Sequence, residues 1–119
     1  MAHSGSVYES LAAGWLEERG LTITDRNYRC KMGEIDLVAL DGPTVVFVEV
    51  RARSRSRFAS AAASVDQRKR RRLRRAALHY LRRHPLAAAM PCRFDVVAIE
   101  PRQSLADADV RWIRAAFTG

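Results

Sequence analysis

Hydrophobic positions recur along this chain with two periods, and the switches between them lay out its elements. Residues 6–19 place Tyr8, Leu11, Ala12, Trp15 and Leu16 on one arc at the helical period, with Ser6 as a cap and Gly20 as a stop. Glu9 falls at the edge of that arc, about 20° past Leu16 at 100° per residue. Residues 21–29 predict a first strand with Ile23 and Tyr28 partly buried and a bend at Asp25-Arg26-Asn27. Residues 33–53 predict two strands joined by a tight turn at Asp41-Gly42-Pro43-Thr44, because Gly and Pro interrupt two runs rich in Val, Ile, Leu and Phe. Residues 60–84 predict a long helix stopped by Pro85, with an apolar stripe that includes Val65, Leu73, Ala76, Ala77 and Tyr80. Residues 93–99 predict a strand with Phe94, Val96 and Ala98 on one face and Asp95, Val97 and Ile99 on the other; 110–113 predict a short edge strand and 115–117 close the chain. Asp95 is expected to pair with Arg93 or a neighbouring strand. The order αβββαββ describes an α/β fold, a central mixed sheet flanked by helices. At 119 residues it forms a single domain, with residues 1–6 a loose end and 52–60 a mobile basic loop.

The hairpin carries the first hint of chemistry. A turn centred between Gly42 and Pro43 sets Asp36 opposite Glu49 and Glu34 opposite Arg51, all on one face by strand alternation. Ile35, Leu37, Val48 and Val50 share the other face. Nearer the turn both faces are apolar, so the hairpin is expected to be covered on both sides. Directly opposed carboxylates have Cβ atoms roughly 5 Å apart and repel. A cation is therefore expected between Asp36 and Glu49, either a divalent metal or an arginine.

Charge narrows the partners. The chain holds 21 basic and 13 acidic residues, a net charge of +8, which favours polyanions, nucleic acid before anionic membrane. Nineteen of the basic residues are Arg and only Lys31 and Lys69 are Lys. Residues 68–75 hold seven cations in eight positions, a density that a phosphate backbone relieves by counterion release. The loop Arg53-Ser54-Arg55-Ser56-Arg57 reads equally as a solvated linker or as a phosphate-contacting arm. No apolar run approaches a membrane span and no signal-peptide pattern opens the chain. Cys30 and Cys92 lack metal-site spacing, so a cytoplasmic location with reduced thiols is expected.

Asn27-Tyr28-Arg29, residues 33–39 (GEIDLVA) and residues 46–53 (VFVEVRAR) together resemble the YraN-like family of small bacterial proteins. Val65, Lys69, Leu73, Ala76-Ala77, Tyr80-Leu81 and residues 93–97 extend the resemblance across nearly the whole chain. It implies a restriction-endonuclease-like fold of the PD-(D/E)xK superfamily, similar in layout to archaeal Holliday-junction resolvases. In that superfamily a helix acid, a strand Asp and a Glu-x-Lys converge on magnesium. Matched residue by residue, these are Glu9, Asp36 and Glu49, with Arg51 standing where the family has Lys and Tyr8 where it has Gly. Arginine carries a fixed charge that can stabilise a phosphate but cannot take a proton from water.

The resemblance thus implies a metal-dependent DNA endonuclease acting on branched DNA. Asp36, Glu49 and the Val50 carbonyl would hold Mg2+ or Mn2+, with Glu9 and Arg51 completing the catalytic set. Arg53, Arg55, Arg57, Arg68, Lys69, Arg71, Arg72 and Arg75 would grip the DNA backbone without reading bases. Symmetric cutting of a junction requires two active sites and hence a homodimer; Trp112 and Phe117 are apolar candidates for core or for such an interface. The residues alone leave two other readings open. One is a nucleic-acid-binding module without catalysis, in which Arg51 or Arg53 neutralises Asp36 and Glu49 structurally. The other is a protein-interaction factor whose basic helix docks an acidic partner.

Overall fold

Five strands form one mixed sheet in the order β1-β2-β3-β4-β5. The computed structural model describes residues 4–52, 66–101 and 105–117. Helix α1 (Ser4–Glu18) leads into β1 (Thr22–Cys30), β2 (Gly33–Asp41) and β3 (Thr44–Ala52). Helix α2 (Gln67–Arg83) and the short α3 (Pro85–Ala88) then cross to β4 (Cys92–Glu100), and a 3-10 turn (Leu105–Asp107) leads to β5 (Asp109–Phe117). Neighbouring strands are antiparallel except β3 and β4, which run parallel. This is the expected α/β architecture.

The helices cover opposite faces. Ala12, Ala13 and Leu16 of α1 pack on Leu37, Val46 and Val97; Leu73, Ala76 and Tyr80 of α2 pack on Val38, Phe47 and Phe94. Helix α1 starts at Ser4, so Ser6 lies in its first turn and is not the cap, and residues 4–6 of the expected loose end are helical; residues 1–3 lie outside the described residues. It ends as Gly20 allows: with φ 96 there, Gly20 N–H reaches the Glu17 carbonyl and Leu21 N–H the Leu16 carbonyl. Helix α2 begins at Gln67, not near residue 60, because the Asp66 side chain caps it by accepting the Lys69 N–H at 2.9 Å. Residues 60–65, with Val65 of the expected stripe, and the expected basic loop from residue 53 onward lie outside the described residues.

The hairpin register is the expected one from Asp41↔Thr44 to Leu37↔Val48, around a two-residue turn with Gly42 at φ 58. Beyond Leu37 the expectation fails. Ile35 packs on the α2 side and Leu37 on the α1 side, although two residues apart in a regular strand would share a face. Glu34 pairs with Arg29 at 3.7 Å rather than standing against Arg51.

The C-terminal strand is longer than its hydrophobic pattern suggests, nine residues instead of four. The reason is Asp95, which is fully buried. Its carboxylate accepts hydrogen bonds from Arg93 Nε at 3.0 Å, Trp112 Nε1 at 2.9 Å and the backbone N–H of Ala115 at 2.9 Å. Ala115 has φ 49 and the β4–β5 register shifts there, so the acid bridges a break that would otherwise end the strand. Arg93 also reaches Asp41 at 2.8 Å. Trp112 meets Trp15 edge-on at 6.1 Å and Phe117 stacks on Phe94 at 5.0 Å. Both are core contacts.

Asp95→Ala leaves Arg93, Trp112 and the Ala115 amide without their acceptor. It should lower unfolding free energy by about 3 kcal/mol, while Glu34→Ala, in an exposed pair, should change it by less than about 1 kcal/mol. Urea denaturation of the two variants measures this; equal losses would contradict the assignment of Asp95 as a structural keystone.

Candidate functional site

Asp36 occupies the point where β2 leaves the ladders on both of its sides. On the β1 side the pairs Arg26↔Leu37 and Tyr28↔Ile35 form, but the pair between them, Asn27 with Asp36, does not. Asn27 turns into the left-handed region, φ 54. On the other side the β2–β3 ladder ends at Leu37↔Val48, while β3 continues beside β4 as far as Ala52↔Ile99. The Val50 N–H thus has no β2 carbonyl opposite it. The Asp36 carboxylate takes that place, accepting the N–H at 2.8 Å. Along a strand a residue's N–H and C=O point to the same edge, so the Val50 carbonyl faces Asp36 as well.

Each helix delivers one charged residue to this spot. On α1 the buried positions are Glu9, Ala12, Ala13 and Leu16, the i, i+3, i+4, i+7 repeat. Glu9, only 6% exposed, therefore stands in the buried stripe rather than at the edge of the arc. The expected arc was drawn around Tyr8, Leu11 and Trp15, which are only partly buried and flank the true centre. On α2, Lys69 leads the stripe Leu73, Ala76, Ala77 and Tyr80, and its Nζ lies 2.9 Å from Glu49 Oε2. Arg51 approaches the same oxygen at 3.4 Å.

The electrostatics follow from burial. Asp36 is pushed up to about 8, first by burial and next by the charge of Glu49; the Val50 N–H opposes the shift, and the charge of Glu9 and a hydrogen bond with its carboxyl add to it. At neutral pH the Asp36 carboxyl is therefore mostly protonated. Oε1 of Glu9 is buried and makes no hydrogen bond. Three carboxyls converge here, and Lys69 and Arg51 both lie on one of them, Glu49. Among the described residues no three His, Cys, Asp or Glu side chains form a ready metal cage. The donors that suit a divalent cation are the oxygens of Asp36 and Glu49 and the Val50 carbonyl, a hard-oxygen set of the kind Mg2+ takes together with waters.

Glu9, Asp36, Glu49, Val50 and Arg51 are thus brought together. Arg68, Arg71, Arg72 and Arg75 are exposed and follow the i, i+3, i+4, i+7 repeat, so they form one basic face of α2. Lys69, expected with them, is turned instead toward Glu49. The signal was present: at 100° per residue Lys69 falls within about 40° of both Leu73 and Tyr80, against about 60° from Arg72 and about 100° from Arg68. Arg53, Arg55 and Arg57 lie outside the described residues. Both cysteines are free. No helix among the described residues is long and apolar enough to cross a membrane.

Comparison with known proteins adds a family without a chemistry. Residues 8–99 match the family described as "Uncharacterised protein family UPF0102". A UPF0102 protein of Alcanivorax borkumensis is 49% identical over 115 residues, covering 97% of this chain and 91% of its own. One from Stutzerimonas stutzeri is 50% identical, covering 96% and 93%, and one from Nitrosococcus oceani is 47% identical, covering 95% and 90%.

The raised Asp36 value fixes a sign for stability. In the folded chain the carboxyl keeps its proton up to about 8, whereas an ordinary aspartate releases it near 3.8, so between these the folded state binds more protons. The resulting stability is fully present below the unfolded value and is lost as pH rises through 8. In chelator, wild-type stability should fall from pH 5 to pH 9, and Asp36→Asn, which keeps an acceptor for Val50, should flatten that slope and be more stable at pH 9 by about 1 kcal/mol or more. Denaturation at the two pH values decides; a variant that tracks the wild type would show that Asp36 carries no excess proton.

Proposed function

The chain belongs to the uncharacterised family UPF0102, and we propose that it is a DNA-binding, divalent-metal-dependent endonuclease acting on branched DNA. The observation that carries this reading is the meeting of Asp36 and Glu49 at the frayed end of β2 and β3, within reach of a helix whose outer face is arginine. The resemblance to the PD-(D/E)xK superfamily points to the same residues independently.

Asp36, Glu49 and the Val50 carbonyl would hold Mg2+ or Mn2+, which when bound supplies Lewis-acid polarisation of the phosphate and a more acidic water. The chain's own groups do the rest. Glu9, with a buried oxygen free of other hydrogen bonds, orients the attacking water. Arg51 neutralises Glu49 and adds positive potential at the phosphate. Arg68, Arg71, Arg72 and Arg75 hold the backbone on either side without reading bases. Hydrolysis forms one bond from the water oxygen to phosphorus and breaks one phosphorus–sugar oxygen bond. The two protons of the water end on the leaving sugar oxygen and in solvent, and nothing is oxidised or reduced. Two-sided cutting of a junction calls for a second copy of the chain.

A second reading draws on the same geometry. Lys69 and Arg51 already bracket Glu49, so the cluster can serve as a structural ion pair in a binding module that does not cleave.

Purified protein, four-way DNA junctions and Mg2+ or Mn2+ separate the two. The endonuclease reading expects cleavage that falls at least about a hundredfold in Asp36→Ala. It also expects that junction affinity in chelator drops about a hundredfold between 50 and 200 mM salt if some four phosphates are neutralised. Salt-dependent binding with no cleavage above the Asp36→Ala control would leave the binding module. Affinity indifferent to salt would remove the basic face from the account.

A further inference from the structure

We propose that Lys69, rather than Arg51, is the side chain of this site that meets the phosphate being hydrolysed. The inference rests on the endonuclease reading above and adds a catalytic residue to it. Arg51 stands where the family pattern has lysine, but its side chain is 17% exposed, its Nε is buried without a hydrogen bond, and its Nη1 is turned to Glu49. It is placed as a fixed counter-charge inside the fold. The Lys69 side chain is 44% exposed while its Nζ sits 2.9 Å from Glu49 Oε2. It therefore touches both the acid cluster and the solvent from which DNA arrives.

The approach path favours the same residue. A backbone lying across Arg68, Arg71, Arg72 and Arg75 runs along α2, and Lys69 is the residue of that helix whose side chain turns from its basic side toward Glu49. Its origin is held firmly, since its own N–H is bound by the Asp66 cap at 2.9 Å. An ammonium has three donors. One engages Glu49, and the others can serve a phosphate oxygen and the attacking water from a side chain far more open to solvent than that of Arg51. Composition agrees. Nineteen of the 21 basic residues are arginine, yet the residue of α2 seated on Glu49 at 2.9 Å is lysine. A compact, mobile point charge suits a reacting phosphate where a planar fork suits a static grip. The ammonium missing from β3 is thus supplied from α2.

The test compares wild type, Lys69→Met, Lys69→Arg and Arg72→Ala on four-way junctions, with thermal melting to confirm that each folds. Met keeps the aliphatic stem and removes the charge; Arg keeps the charge and changes its shape. Two readouts are taken: affinity against salt in chelator, and single-turnover cleavage with Mn2+ at saturating protein. The expected result is that Lys69→Met cleaves about a hundredfold more slowly, while its affinity in chelator, where Glu49 already neutralises the Lys69 charge, stays within about twofold of wild type with an unchanged salt slope. Lys69→Arg should recover only a small part of the rate. Arg72→Ala should bind more weakly with a slope lower by about 1. Lys69→Met cleaving at the wild-type rate, or Lys69→Met shifting affinity and slope as Arg72→Ala does, would overturn the assignment and leave the endonuclease reading standing. A wild type that binds junctions but cuts none would overturn both.

Discussion

The hydrogen bond from the Val50 amide to the Asp36 carboxylate is the contact on which the rest of this site depends. A β-ladder uses backbone carbonyls to satisfy backbone amides. Here the chain substitutes a side-chain oxygen at 2.8 Å, and the two central strands part at that point. At the same place Ile35 and Leu37 turn to different layers. The cost is an acid held away from water next to a second acid from the adjoining strand, which raises the affinity of Asp36 for its proton.

The helices answer that cost in opposite ways. Helix α2 sends Lys69 onto Glu49 and β3 adds Arg51, so that acid is bracketed by two cations. Helix α1 adds another acid, Glu9, with one oxygen unpartnered. A fold that only needed neutrality would not place a third carboxyl there, since an unpaired buried charge is expensive. Asp95, the other buried acid described above, shows what a purely structural solution looks like: Arg93, Trp112 and the Ala115 amide satisfy it completely. The contrast between the satisfied acid and the under-satisfied cluster is the physical basis for reading the cluster as a place where something positive binds. Under the proposed function, its neighbourhood of exposed arginine would bring a phosphate chain to it.

The element order was legible in the sequence, and so was the nearness of Asp36 to Glu49, although the ladder expected to pair them stops one pair short, at Leu37↔Val48. Gly42-Pro43 sets the turn, and strand alternation carries the register from there to Leu37 and Val48. The irregularities were not legible. Alternation assumes a regular strand, and Asn27 opposite Asp36 breaks it with a left-handed backbone that no hydrophobic pattern announces. The length of β5 was hidden for a related reason, because its continuation past Ala115 depends on a carboxylate from β4. Lys69 and Glu9 were masked by their sequence neighbours. A run of cations reads as one basic surface, and an arc drawn around large aromatics pulls its centre away from small residues such as Ala12 and Ala13. Plotted by angle alone, both charged residues fall on the buried stripes of their helices.

The account's central claim is that Asp36 and Glu49 are held together to receive a divalent cation. A crystal soaked in Mn2+ and measured at the manganese absorption edge tests it most directly. An anomalous peak is predicted at coordination distance from oxygens of both Asp36 and Glu49, close to the Val50 carbonyl. A well-ordered crystal with no peak there would contradict that claim.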